Sequence, residues 1–92
     1  PTECDALQTP ETWPINFAVL RARGVRGVVV TRSEVRDAMR LAFERLHLVI
    51  EPGGAAALAA VLAGKVTPTD ATLVTLSGGN ADPRQFAEII SE

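Results

Sequence analysis

Apolar positions recur at two periods along this chain. From Val35 they fall at Val35, Ala38, Met39, Ala42, Phe43 and Leu46. That is helical spacing with one apolar face, and it predicts a helix over about 32–47. Thr31 lies three residues before Glu34, the spacing of a capping box, and so marks the start of this helix. Two other stretches are short, continuous and β-branched: "GVVVT" at 27–31 and Thr72–Leu76. Both read as short buried strands. "AAALAAVLAG", from Ala55 to Gly64, reads as a second helix, buried on nearly all sides because alanine permits close backbone approach. Gly64 ends it, with Lys65 at its negative end. Pro14 opens a short helix, Ile15 to Arg23, closed by Gly24. Asp82, Pro83 and Gln85 form a cap, a first-turn proline and an N3 partner for a last helix over about 83–91. Pro1, Pro10 and Pro14 punctuate an irregular N-terminal stretch.

This alternation predicts an α/β layer, with helices packed on a small, incomplete sheet. Two strands do not make a stable sheet alone. The expectation is therefore one fragment, residues 1–92, whose remainder lies elsewhere.

Composition narrows the function. The chain has 92 residues, 47% of them hydrophobic, and a net charge of −2. It is too apolar to be disordered. Seven arginines lie between Arg21 and Arg45, but Glu34, Asp37 and Glu44 are interleaved with four of them. That pattern reads as a solvated helix face, not a nucleic-acid footprint. The single cysteine, Cys4, permits no intrachain disulfide and no cysteine zinc site. A reducing compartment, the cytoplasm, is the simple reading. No run reaches the ~18 apolar residues of a membrane span.

Two loops carry candidate chemistry. "SGGN" at 77–80 follows the second β-branched run and precedes the last helix. Gly78 and Gly79 let a flat ring or a phosphate approach the backbone, and Ser77 offers one hydroxyl. An ordinary tight turn would look the same. "EPGG" at 51–54 follows three apolar residues. Glu51 is either an inward-facing carboxylate that needs a partner or a solvent-exposed residue before proline. His47 and Lys65, each the only one of its type, fall at helix ends and read as capping or surface groups. Trp13 and the three phenylalanines read as core.

Taken together, "CDAL" at 4–7, "VVVTRSEVRDAMRLAFERLHLVIEPGGAAALAAVLAGK" at 28–65 and "LSGGNADPRQFAEII" at 76–90 are specific. They resemble the C-terminal third of pyridoxal-phosphate-dependent threonine/serine dehydratases. This group includes threonine ammonia-lyases and serine racemases, of fold-type II (tryptophan synthase β-like). The resemblance implies the C-terminal part of that family's large domain and a pyridoxal 5'-phosphate cofactor. It implies that Ser77 meets the pyridine nitrogen, that Gly78 and Gly79 keep side chains away, and that Glu51 lies near the pocket. It places Ala6 near one face of the ring, where relatives often have glycine.

The family's Schiff-base lysine and Gly-rich phosphate loop have no counterpart in these residues, nor do its acidic metal ligands. The resemblance therefore implies a parent that eliminates water from a small amino acid, threonine or serine, and a segment that is inactive by itself. Its partners would be the absent N-terminal part and, as in relatives, further copies of the parent. The rival readings are a non-catalytic α/β module that binds a small anion, an assembly piece, and, within the family, a racemase.

Overall fold

The computed structural model describes residues 2–92, and Pro1 lies outside them. Four α-helices and two short 3₁₀ turns make up its regular structure: α1 (Pro14–Ala22), α2 (Arg32–Leu46), α3 (Ala56–Leu62) and α4 (Pro83–Ile90), with turns at Asp5–Leu7 and Gly53–Ala55.

α2 is the organising element. Its N-terminus is built as the sequence predicts: the Glu34 N–H donates to Thr31 Oγ1 and the Thr31 N–H donates to Glu34 Oε2, a reciprocal capping box. At its other end His47 takes a left-handed conformation (φ 57°), and the N–H groups of His47 and Leu48 both reach the Ala42 carbonyl. His47 is thus an exposed helix terminator. α1 and α3 stop at their glycines with the expected long turns, Val25 N–H to the Leu20 carbonyl and Lys65 N–H to the Ala60 carbonyl. Asp82 caps α4 by accepting from the Arg84 and Gln85 N–H groups, both at 2.9 Å.

The core lies where α2 meets α3 and α4. Val35, Ala38, Met39 and Ala42 line the buried face of α2, and Ile50, Ala55, Ala59 and Ile89 complete the cluster. Alanines on both α2 and α3 let these helices pack closely around Met39 and Ile89, the two largest fully buried side chains. Lys65 closes the far end: its ammonium donates to Glu34 Oε2 (2.7 Å) and the Val29 carbonyl (2.8 Å), joining the end of α3 to the start of α2.

Several expectations are corrected here. The fold class read from the sequence included a small sheet, but among the described residues there is no strand. Residues 27–31 and 72–76 have no regular structure and form no ladder with each other. Val29 is 83% exposed and Leu73 is 91% exposed, while Val30 and Leu76 alone turn toward the core. β-branching favours an extended backbone, but a strand also requires a neighbour with free backbone groups. α3 buries one face only: Ala59 and Ala60 are inside, while Ala57 and Leu62 are exposed. Its first turn is the 3₁₀ turn Gly53–Ala55. Of the aromatic residues, Trp13 and Phe17 are exposed, and Phe43 meets the half-buried Phe86 edge to face at 5.5 Å. Of the seven arginines, Arg32 stays 70% exposed, but Arg32, Arg36 and Arg40 also reach carboxylates far along the chain, Glu3 and Glu92.

Candidate functional site

The two glycine-bearing loops lie against each other. The Glu51 N–H donates to the Gly78 carbonyl at 2.8 Å, and the Ser77 N–H points at the Gly54 carbonyl at 3.5 Å. This contact explains two glycines. A Cβ on Gly54 would fall on the Ser77 carbonyl oxygen and 2.6 Å from its carbonyl carbon. No side-chain adjustment relieves a clash with backbone. A Cβ on Gly78, which also has φ +73°, would fall on the Glu51 carboxyl group and 2.7 Å from its Cγ. Gly78 thus serves Glu51 directly: the absent side chain is the space the carboxylate occupies.

The third wall comes from the N-terminus. Ala6 Cβ and Leu7 Cγ each lie 3.6 Å from where a Cβ on Gly53 would be, so the first 3₁₀ turn rests on the second. The five residues singled out in the sequence, Ala6, Glu51, Ser77, Gly78 and Gly79, are therefore gathered around one turn, Glu51–Gly54. They come from three separate stretches of chain. Beside them opens a cleft of about 280 Å³, bordered by Glu3, Asp5, Glu51, Asn80 and Asp82. Glu51 is half-buried, between the two alternatives its sequence context leaves open.

The donor set has a definite character. Ser77 is exposed, and none of the hydrogen bonds among the described residues involves its hydroxyl. Gly79 has only the Val49 carbonyl near its Cβ position, at 3.6 Å, which leaves its outer side open. A hydroxyl beside two bare backbone positions fits the edge of a flat heteroaromatic ring. It does not provide an amine to bind that ring covalently. Lys65 sits at the opposite end of α3 and is held by Glu34 and Val29. No group of three or more His, Cys, Asp or Glu side chains among the described residues is arranged to hold a metal. No helix among them is long and apolar enough to cross a membrane.

Sequence reasoning missed the residues that hold this wall in place. Glu3 carries a carboxylate whose side chain is only 12% exposed. It accepts from Arg32 Nη2 (2.7 Å) and from Arg36 Nε (3.0 Å) and Nη2. The Arg36 hydrogen bond above all, with Arg32 behind it, holds the Glu3 carboxyl down at about 2 against the opposing effect of burial. Arg36 also pairs with Glu92, and Arg40 reaches Glu92 at 2.9 Å and the Ile89 carbonyl at 3.2 Å. Burial raises the Cys4 thiol above the usual thiol range. The i, i+4, i+8 spacing of Arg32, Arg36 and Arg40 was the visible signal. Their partners, 33 to 56 residues away for Arg36, were not.

Comparison with known proteins identifies the family. Residues 1–78 match the family described as pyridoxal-phosphate dependent enzyme. The chain is 36% identical over 85 residues to a phenylserine dehydratase of Ralstonia pickettii, covering 90% of this chain and 26% of the relative. It is 30% identical over 91 residues to an L-threo-3-hydroxyaspartate ammonia-lyase of Saccharomyces cerevisiae, covering 98% and 28%. It is 29% identical over 80 residues to a serine racemase of Dictyostelium discoideum, covering 84% and 25%. The chain spans about a quarter of the length of these curated relatives. With a family match over most of its length, the chain belongs to the pyridoxal-phosphate-dependent enzymes, a family that implies fold-type II.

Proposed function

We propose that this chain forms the pyridine-ring side of a pyridoxal-phosphate pocket in an enzyme that eliminates water from a small β-hydroxy amino acid, as a dehydratase or ammonia-lyase. The carrying observation is the convergence of Ser77–Gly79, Glu51–Gly54 and Ala6 around one turn, with the Ser77 hydroxyl unpartnered among the described residues. Bound pyridoxal phosphate supplies the electron withdrawal that acidifies the substrate's α-carbon. The chain's own residues do the rest of what is described here. Ser77 holds the ring nitrogen through a neutral hydroxyl, which does not enforce a protonated ring as a carboxylate would. That suits elimination, where the β-substituent leaves promptly. Gly78 gives Glu51 its place, and the Glu51 N–H fixes the serine loop at the right height. Ala6 closes the third side.

The covalent anchor, the proton-abstracting base and the phosphate cradle belong to residues outside this chain, so the 92-residue protein by itself turns over neither threonine nor serine. Within the family, the dehydratase reading is preferred over racemase because two of the three relatives above carry water- or ammonia-eliminating names and the most identical is a dehydratase. The anion-binding alternative, at Gly78–Gly79 and the start of the last helix, keeps only its glycine part: the Arg84 and Gln85 N–H groups of α4 are already taken by Asp82. The assembly reading has one observation in its favour, the uncovered apolar surface of α1, and is compatible with the cofactor reading.

The test is a titration of the ¹⁵N-labelled chain with pyridoxal phosphate. Amide shifts confined to Ala6, Glu51, Gly53, Gly54 and Ser77–Gly79, weakened in Ser77→Ala, support the proposal. Shifts that inorganic phosphate reproduces, or that Ser77→Ala leaves intact, overturn it in favour of anion binding.

A further inference from the structure

The first 3₁₀ turn has little apolar reason to be where it is. Leu7 is 58% exposed, Ala6 is exposed, and the turn packs on no helix, only on the turn Gly53–Ala55, whose facing residue is a glycine. Contacts this small do not offset the entropy of ordering residues 2–7. Two groups beside the turn hold it instead. Cys4 packs against the α2 core, and Glu3 is gripped by two arginines one helical turn apart on α2. The grip on Arg36 is forked, with Nε and Nη2 on one carboxylate, and both side chains are largely out of water. A forked, partly desolvated pair fixes direction as well as distance.

We infer that Glu3 is a positioning residue: held between Arg32 and Arg36, it sets the Asp5–Leu7 turn, and with it Ala6, against the Glu51–Gly54 wall of the site. The inference rests on the reading of that wall as part of a cofactor pocket, but its test needs no cofactor. Glu3 acts on the wall through Ala6. The clamp also borders the neighbouring cleft, which Glu3 and Asp5 line together with Glu51 and Asp82.

Cys4, the chain's single thiol, lies between the clamp and Ala6 and is partly buried, so it reports on the clamp directly. The experiment measures the rate of Cys4 alkylation by iodoacetamide as a function of pH in the wild-type chain, Glu3→Gln and Arg36→Gln. Removing the negative charge of Glu3 by itself shifts the midpoint of the pH–rate profile. Releasing the turn raises the plateau, where all of the thiol is ionised. A plateau raised about tenfold in both variants, with the double variant no faster than the faster single one, is the expected result. A changed midpoint with an unchanged plateau in Glu3→Gln, or a raised plateau in only one of the two, overturns the inference.

Circular dichroism checks that α2 remains formed. If Arg36→Gln does not fold, Arg32→Gln takes its place, with a smaller plateau increase expected because Arg32 is 70% exposed. In Glu3→Gln the Ala6 and Gly53 amides should move while those of Ala59 and Ala60 stay fixed. The pyridoxal-phosphate titration tests the proposed function separately, and its outcome leaves these rates unchanged.

Discussion

α1 and α2 are both rich in apolar side chains, yet one is inside the protein and the other is not. α2 covers Val35, Ala38, Met39 and Ala42 almost completely. α1, "PINFAVLRA", buries nothing: Ile15 is 75% exposed, Val19 is 57% exposed, and the helix packs on no other element. The more hydrophobic helix is the uncovered one. Hydrophobicity measures how much a segment gains from burial, whereas neighbours decide whether that burial happens. α2 has partners within these 92 residues, and α1 presents a surface for something else to cover.

Substitutions in the packed region and in the α1 arm should therefore differ sharply. The largest effect is expected at Gly54, where Ala puts a methyl group on the Ser77 carbonyl. The two site loops must part, at a cost above about 4 kcal/mol, in the exceptional range for a single change. Urea denaturation should show it, and a stability within about 1 kcal/mol of wild type would mean that the loops are not in contact in solution. Met39→Ala should cost about 3 kcal/mol, because α2 and α3 cannot collapse into the space left. Next comes the ion pair that ties the N-terminus to α2. The Glu3 carboxyl is held below its unfolded value, so its stabilisation is complete above about pH 5 and fades as the pH falls toward about 2. The difference in thermal midpoint between wild type and Glu3→Gln should shrink across that window. Taking the difference removes the parallel contribution of Glu34, whose carboxyl is lowered first by Lys65 and then by Thr31. The smallest effect is expected for Val19→Asp, within about 0.5 kcal/mol. If α1 were packed in solution, that buried charge would cost several times more, and the contrast between the two helices would fail.

What the sequence disclosed divides along the same line. Local chemistry was legible: the Thr31–Glu34 box, the Asp82 cap and the glycine stops each depend on residues within a turn of one another. The apolar face of α2 was legible because its period is a property of the helix. The sheet was misread because a β-branched run reports only its own conformation, and Val28–Val30 has no ladder partner here. Trp13 and Phe17 were misassigned as core for the same reason, since they sit where nothing covers them, whereas Phe86 does pack on the core. At the site, the types of residue at Ser77 and Glu51 were visible as candidates. That Gly54 exists for the Ser77 carbonyl, and Gly78 for the Glu51 carboxylate, is a fact about two loops meeting, and neither loop records it alone. The Arg36–Glu3 and Arg36–Glu92 pairs were hidden too, because those acids lie 33 and 56 residues from Arg36. Glu34 turns to Lys65 and Thr31, and Asp37 pairs with Arg40.

The way the basic residues are engaged also decides where a protease would act. Arg36 and Arg40 sit in a helix with their side chains tied to carboxylates, and Lys65 is bound at the end of α3. Arg21, Arg23 and Arg26 lie exposed at and just past the end of α1, in a segment that packs on nothing. Trypsin should therefore nick the chain there first and produce two peptides, one ending near the α1 arm and one containing the α2–α4 core. Ala6 and the Glu51 turn would then sit on separate molecules. Among the described residues, Cys4 in its niche, the contacts of Ala6 and Leu7 with Gly53 and the grip of two arginines on Glu3 would keep the nicked halves together.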